Sequence, residues 1–315
     1  MEYVINMLAK PKSIRTSQMA SVVSVDSAME TYLKNSFVCL YSIKKHNPNI
    51  ECILFLNFDL SEEWSKRFRD NSIRTEFVEF GNFKIREKYD WGIVQYRYDV
   101  MEWLVNNLSD NDSVIMLDTD VVCVGSLKDA FEEIKWRVLL FDVNHSKSIV
   151  DRNNIIINYL KIFPDETHCE LIHWGGEFIG AKIIMLRQLF EACKFVILQA
   201  AQVSDLVNFN DEHITSIAVY RNWNKIPVNN ANAYLYRYWT GLKFYLVSTN
   251  WYYNKVILWH VPAEKNAGIL WLYKKIIKTR GMPAESRIAH RFGFPRASRT
   301  NVLPFIIANL HKLLK

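Results

Sequence analysis

The stretch Val114-Ile115-Met116-Leu117-Asp118-Thr119-Asp120-Val121-Val122-Cys123-Val124 constrains this chain more than any other. Val114 to Leu117 read as a strand buried on both faces. Two acids one residue apart then interrupt the apolar run. Burying an unpaired carboxylate is costly, so the pair belongs at the carboxyl edge of the strand, facing a bound cation. Oxygen ligands of this kind suit Mg²⁺ or Mn²⁺, which complete their shell with water and substrate phosphates. The block therefore predicts a metal-diphosphate site inside an α/β domain.

The surrounding pattern agrees. Residues 20–25 read as a first strand running into Asp26 and a helix that stops at His46-Asn47-Pro48-Asn49. Ile50–Phe58 and Arg74–Phe80 read as strands, separated by a helix from Ser61, its N-cap, to Asp70. Gly92–Asn107 reads as the helix before the Asp118 strand. Beyond it come a helix from Leu127, a strand at Arg137–Phe141, and a strand entered through Gly175-Gly176. A helix to Ala201 and another opening at Asn210-Asp211-Glu212-His213 follow, then a strand-rich aromatic segment over residues 234–259. The polar segment from Asp142 to His168 has no assignable pattern. Alternating strands and helices predict a mostly parallel sheet flanked by helices, with ligands at the strands' carboxyl ends, where Asp26 and Asp118 would both lie.

Composition narrows the setting. The 315 residues, 50% hydrophobic, suffice for one large α/β domain with a small appendage. The five cysteines are scattered without zinc spacing, which predicts reduced thiols and a cytoplasmic protein. No signal peptide and no membrane-spanning run is expected. Of 39 Lys and Arg, ten fall in residues 274–315 beside a single acid, Glu285. With Val302, Leu303, Phe305, Ile306, Ile307, Leu310, Leu313 and Leu314, this reads as a basic amphipathic helical tail. Such a tail suits an anionic membrane surface, placing the protein peripherally on the inner face of the plasma membrane. A helix packed on the domain and a dimer contact are the plainer alternatives. Nucleic acid is not expected as a partner, because no binding module accompanies the charge.

The order of these pieces resembles the GT-A nucleotide-sugar glycosyltransferases. It is closest to the retaining group (family 8) that includes glycogenin and the bacterial lipopolysaccharide galactosyl- and glucosyltransferases. The resemblance runs over about residues 20–265 and is carried by six blocks: Ser24-Val25-Asp26 with Tyr32 and the helix to His46-Asn47-Pro48, Tyr96-Arg97, Val114 to Phe131, Gly175-Gly176, Asp211-Glu212-His213, and Ile257-Leu258-Trp259-His260. Trp174 stands where the family has Asn, Glu212 where Gln is usual, and Val261-Pro262-Ala263-Glu264-Lys265 follows His260 in place of Gly-x-x-Lys-Pro-Trp.

The resemblance implies a GT-A domain over residues 1–265, with a nucleotide-binding half at about 20–125 and an acceptor half at about 126–265. Residues 266–315 form the tail. It implies that Asp118, Asp120 and His260 hold Mn²⁺ or Mg²⁺, and that Ser24, Asp26, Tyr32, Arg97, Thr119, Gly175, Gly176 and Lys265 join Asp118 around the donor. Asp211 and Glu212 are the candidate catalytic acids, with Glu177 a second carboxylate candidate. Simpler roles compete: Asp26 as a helix N-cap, His260 as a satisfied core histidine, Arg97 in a structural ion pair, and Asp211 and Glu212 as first-turn acids of a capped helix. Aromatics from Tyr234 to Tyr253 offer stacking faces to an acceptor, or simply core packing.

The expected activity is transfer of a hexose, galactose or glucose, from a UDP-sugar to a glycan or lipid-linked acceptor in cell-surface polysaccharide or lipopolysaccharide synthesis, with retention. Two rivals stand. Asp118-Thr119-Asp120-Val121-Val122 also fits the nucleophile motif of haloacid-dehalogenase-like phosphatases, although no later Gly-Asp-x-x-x-Asp loop follows. A non-catalytic sugar-nucleotide-binding protein is the other.

Overall fold

The computed structural model describes residues 1–10, 24–81, 83, 92–143, 149–164, 171–238 and 256–294. In chain order the elements are β1 (Glu2–Leu8), α1 (Val25–His46), β2 (Glu51–Leu56), α2 (Glu62–Asp70), β3 (Ile73–Phe77), α3 (Tyr96–Asn107, entered through a 3₁₀ turn at Gly92–Gln95) and β4 (Ser113–Leu117). There follow β5 (Val121–Cys123), α4 (Lys128–Glu133), β6 (Val138–Asp142), α5 (Ile149–Ile162), β7 (Trp174–Lys182), α6 (Ile183–Ala200), α7 (Asp211–Arg221), β8 (Val228–Asn230), β9 (Leu235–Arg237) and β10 (Leu258–His260). Helices α8 (Gly268–Thr279) and α9 (Glu285–Phe292) complete the described chain.

The main sheet has the order β3-β2-β1-β4-β7-β6-β8. Neighbours run parallel except across β7, which is antiparallel to both β4 and β6. The mixed α/β fold with a mostly parallel sheet flanked by helices is as the sequence predicts. Alternation along the central strands explains the layering. Val4 and Leu8 of β1, Leu54 of β2 and Ile115 and Leu117 of β4 point to one core, packed under α1, α2, α8 and α9. Tyr3 and Ile5, Ile53 and Phe55, and Val114 and Met116 point to the other, under α3, α5, α6 and α7. A strand covered on both faces must be apolar at nearly every position. Truncating one such residue, Ile5→Ala for example, is expected to cost about 2–5 kcal/mol.

The first strand is a correction. It is β1 rather than residues 20–25: Ser24 caps α1, its side chain accepting from the Ser27 amide, and Val25 is already helical. Residues 20–23 lie outside the described residues. Asn6 is what hides β1 from a pattern reading, since an amide in the middle of a central strand looks like a loop. Here the amide is buried, and its Nδ2 donates to the carbonyls of Leu117 at 2.7 Å and Asp118 at 3.2 Å. These bonds satisfy the donor and pin the backbone where β4 ends. α5 occupies the segment that had no legible pattern.

A small second sheet, β5-β10-β9, stands beside the first. β10 is central, and its register puts His260 opposite Val121 on one side and Arg237 on the other. That register brings the histidine next to Asp120. Beyond residue 265 the chain continues into the same core. Ile269, Leu272 and Ile276 of α8 and Ile288 and Phe292 of α9 are buried there, and Phe294 stacks on Tyr238 with ring centroids 4.1 Å apart. No helix among the described residues is long and apolar enough to cross a membrane. Residues 295–315, which hold the apolar part of the expected tail, lie outside the described residues.

Candidate metal centre and adjoining cavity

Asp118 and Asp120 emerge where β4 ends, and β10 delivers His260 to face them. One ligand atom from each of the three lies within 4.8 Å of the others. His260 Nε2 is 3.2 Å from Asp120 Oδ2 and 3.7 Å from Asp118 Oδ2. Lys265, on the turn after β10, puts Nζ 3.4 Å from the same Asp120 oxygen. Asp120 Oδ2 is nevertheless buried without an aligned hydrogen bond. The Asp118 side chain keeps 35% of its surface exposed. Two carboxylates and an imidazole around one point, with an under-satisfied buried oxygen, are a donor set that fits Mn²⁺ or Mg²⁺.

A cavity opens beside the three ligands. It is lined by Tyr32, Arg97, Asp118, Thr119, Asp120 and Lys265, with Leu8 and Ala9 from the end of β1 and Ile93 and Val94 ahead of α3. Lys265 lies over the Tyr32 ring, 5.8 Å from its centroid. Six of the residues expected around the donor and metal thus share one cavity. Ser24 and Asp26 are not among those lining it. Ser24 spends its hydroxyl on the helix cap, and Asp26 is exposed and pairs with Lys10 at 3.0 Å.

Behind the metal ligands lie two buried ion-pair groups, and Gly175 and Gly176 at the start of β7 make room for them on opposite faces. Arg97 binds Asp211 at 2.6 Å, donates to the Gly176 carbonyl at 2.8 Å and approaches Asp118 at 3.6 Å. A Cβ on Gly176 would come within 2.6 Å of Asp211 Oδ2 and 2.8 Å of the Arg97 guanidinium. On the other face Arg237 grips Glu177 through Nε at 2.5 Å and a terminal nitrogen at 2.6 Å. It also reaches Glu212 at 3.0 Å. A Cβ on Gly175 would come within 2.2 Å of Glu177 Oε2. Glu212 is held further by His173 Nε2 at 2.6 Å and by the Gly176 amide at 3.3 Å. Asn210 caps α7, accepting from the His213 amide, so Asp211 and Glu212 are first-turn acids as well.

His260 joins the two regions: its Nδ1 lies 3.2 Å from Glu177 Oε1. The electrostatics follow from this geometry. Burial opposes charge on His260, but Asp120 and then Glu177 outweigh it and push the imidazole up to about 9. Burial also opposes ionisation of Glu177, yet Arg237 and His260 hold it down at about 2. Asp120 likewise sits well below the usual carboxylate range despite its burial, because Lys265 and His260 stand against it. Glu212 is held low against burial by Arg237 and His173. Asp118 shifts the other way, raised mainly by burial with His260 only partly offsetting it. Asp211 rises to about 6 through burial, although Arg97 pulls it down. Among the described residues five carboxylates (Asp118, Asp120, Glu177, Asp211, Glu212) thus share the site with Arg97, Arg237, Lys265 and the protonated His260, a remaining excess of acid that favours a bound divalent ion.

Sequence reasoning did not find Arg237, His173 or Asn6. A lone arginine in Tyr234-Leu235-Tyr236-Arg237-Tyr238 was the one signal available for Arg237, since an isolated charge in an aromatic strand needs a buried partner. Of the aromatics proposed as acceptor faces, Tyr238 is fully buried and Tyr234 bonds Glu133 at 2.8 Å. Residues 239–255 lie outside the described residues.

No protein-family model matches this chain, and no curated protein does. Solved structures match it in fold. The galactosyltransferase LgtC, in complex with donor and acceptor sugar analogs, aligns with a TM-score of 0.54 at 13% identity, over 91% of this chain and 99% of that one. An active-site mutant of LgtC aligns at 0.52 with 14% identity and the same coverage. The apo form of mouse xyloside xylosyltransferase 1 aligns at 0.51 with 11% identity, over 82% of this chain and 97% of that one. The architecture of the chain is therefore the GT-A fold of these glycosyltransferases. At such identities it is the fold that is shared.

Proposed function

We propose that this protein is a divalent-metal-dependent glycosyltransferase acting on a nucleoside diphosphate-sugar. The observation that carries the reading is the Asp118–Asp120–His260 cluster at the edge of a cavity walled by Arg97, Tyr32 and Lys265. The three ligands would hold Mn²⁺ or Mg²⁺. Bound there, the ion supplies Lewis-acid stabilisation of charge on the departing diphosphate. Lys265, at 3.4 Å from Asp120, is within reach of the same phosphates and adds positive charge to them. Tyr32 offers a ring face to the nucleoside. Arg97, fixed by Asp211 and the Gly176 carbonyl, presents its guanidinium to the sugar end of the cavity.

The finer reading is a UDP-hexose donor, galactose or glucose, a glycan or lipid-linked acceptor, and retention of configuration. Glu212 then serves best as a fixed negative charge beside the sugar, stabilising oxocarbenium character. Arg237, His173 and the Gly176 amide occupy both of its oxygens, which suits an electrostatic partner better than a free nucleophile. Asp211, paired with Arg97, serves to position it.

A screen of nucleotide sugars for Mn²⁺-dependent hydrolysis, repeated with Asp120→Ala, tests the reading without knowledge of the acceptor. Hydrolysis by the native protein that disappears with chelator and in Asp120→Ala supports it. Turnover of small phosphoesters without turnover of any nucleotide sugar would replace it with a phosphatase.

Membrane-surface attachment through residues 295–315 is a further part of the proposal. Because α9 and Phe294 pack into the core, the informative truncation falls after Phe294 and not after Arg280. The truncated enzyme should stay folded and lose sedimentation with anionic vesicles; undiminished sedimentation would count against attachment.

A further inference from the structure

We infer that Glu177 is a positioning residue for the metal centre: its carboxylate, clamped by Arg237, fixes the His260 ring so that Nε2 faces Asp118 and Asp120. The inference rests on the metal-dependent reading above and deepens it. An imidazole ring rotates about its last side-chain bond unless both edges are held. His260 presents one edge to the two aspartates, with Nε2 at 3.2 and 3.7 Å, and the other to Glu177, with Nδ1 at 3.2 Å. A carboxylate bound twice by a guanidinium is ionised and can only accept, so Nδ1 is the nitrogen that keeps its proton. Nε2 is then the nitrogen whose proton an ion displaces, freeing its lone pair to bind. A carboxylate behind the ring also makes that lone pair a stronger ligand.

Three further features show that Glu177 is held for this purpose. It is wholly buried, in the strand hydrogen-bonded to the end of β4, and its own carbonyl accepts from the Asp118 amide at 3.2 Å. Gly175 leaves the space that its Oε2 fills. Arg237, which clamps it, is the β9 residue in register with His260 on β10. The same arginine reaches Glu212, so one cation fixes the orientation of the metal ligand and the charge beside the sugar.

Mn²⁺ affinity, read by electron paramagnetic resonance of the free ion, tests the inference independently of turnover. Native protein and Asp120→Ala set the range. Glu177→Gln should weaken Mn²⁺ about tenfold, and Glu177→Met by up to about a hundredfold, the span expected for a residue behind a ligand. A thermal melt accompanies each variant, and Glu177→Gln, nearly isosteric, carries the test if the Met variant does not fold. The decisive arm is a double-mutant cycle with His260→Ala. In that background Glu177→Gln should change Mn²⁺ affinity less than twofold, because the ring it positions is gone. A Glu177→Gln affinity within twofold of native, or an equal loss with and without His260, overturns the inference while leaving the metal site standing. A native protein that binds no Mn²⁺ overturns both.

Discussion

The end of β4 and the start of β7 lie side by side in one sheet and treat their carboxylates in opposite ways. Asp118 is partly exposed, and its nearest cations stand at 3.6 and 3.7 Å, too far for a hydrogen bond. Glu177 is fully buried and held by three contacts of 3.2 Å or less. The first arrangement leaves an oxygen free to take a ligand, and burial raises the Asp118 carboxyl because little there stabilises its charge. The second removes freedom from a side chain and uses it to hold others in place. The contrast teaches how to read acids in a cleft: the loosely held one is offered to a ligand, and the tightly held one orients it.

Substitutions that reverse these roles test the contrast most severely. Glu177→Ala leaves Arg237 buried with Glu212 as its remaining ion-pair partner among the described residues, and breaking a buried pair from one side costs about 3–5 kcal/mol. Asp118→Asn removes a charge that nothing strongly stabilises, so its effect on folding should stay within about 0.5 kcal/mol. Denaturant melts without added metal measure both. Comparable losses from the two would erase the distinction. Activity should invert the order, since Asp118→Asn, a ligand change, leaves the fold intact and removes Mn²⁺-stimulated hydrolysis.

Glu212→Gln sharpens the same comparison at the sugar face. It is expected to keep donor binding and lower turnover about a hundredfold, the scale of one preorganised electrostatic contact. Steady-state kinetics with the donor found by the screen decide it, and an unchanged kcat would remove Glu212 from the chemistry.

Gly176→Ala is the next step down. The added methyl meets the Asp211–Arg97 pair at 2.6 and 2.8 Å. Those atoms are side-chain ends, but they are buried and paired, so about 1–3 kcal/mol of stability should go into displacing them. A melt within 0.5 kcal/mol of native, on the scale of about 0.5 kcal/mol for inert substitutions, would show that the pair has slack.

What was legible in the sequence follows from the range of the interactions involved. The Asp118 block announced itself because an apolar strand, two acids and a second apolar run are contiguous, and local pattern needs no partner to be read. The glycines and the α7 acids were legible only as a resemblance, and the reason for those glycines, clearance on the two faces of β7, is visible only in three dimensions. β1 was missed because Asn6 breaks its alternation, and the compensating bonds come from residues more than a hundred positions away. Glu177 and Glu212 were named singly, but their joining through Arg237 and His173 was missed for the same reason. These residues come from β7, β9, α7 and the approach to β7, and no spacing along the chain links them.

Acid titration gives the finest test of the contrast. Glu177 falls from an ordinary 4.5 to about 2, and Glu212 is shifted the same way. A carboxyl depressed in the folded state binds fewer protons there than in the unfolded chain. It therefore contributes stability that is present above the unfolded value and lost as pH falls through the folded one. Asp211, raised to about 6, has the opposite sign: it favours the folded state below about 3.8 and loses that contribution as pH rises through 6. Going down from neutrality, stability should first gain from Asp211 between pH 6 and 4, then fall as Glu177, Glu212 and Asp120 take up protons. Glu177→Gln removes one of these falling contributions, so its stability should depend less steeply on pH from 4.5 to 2 than that of the native protein. Parallel curves over that interval would mean that Arg237 does not distinguish the charged from the neutral form of Glu177, and the clamp that separates β7 from β4 would lose its basis.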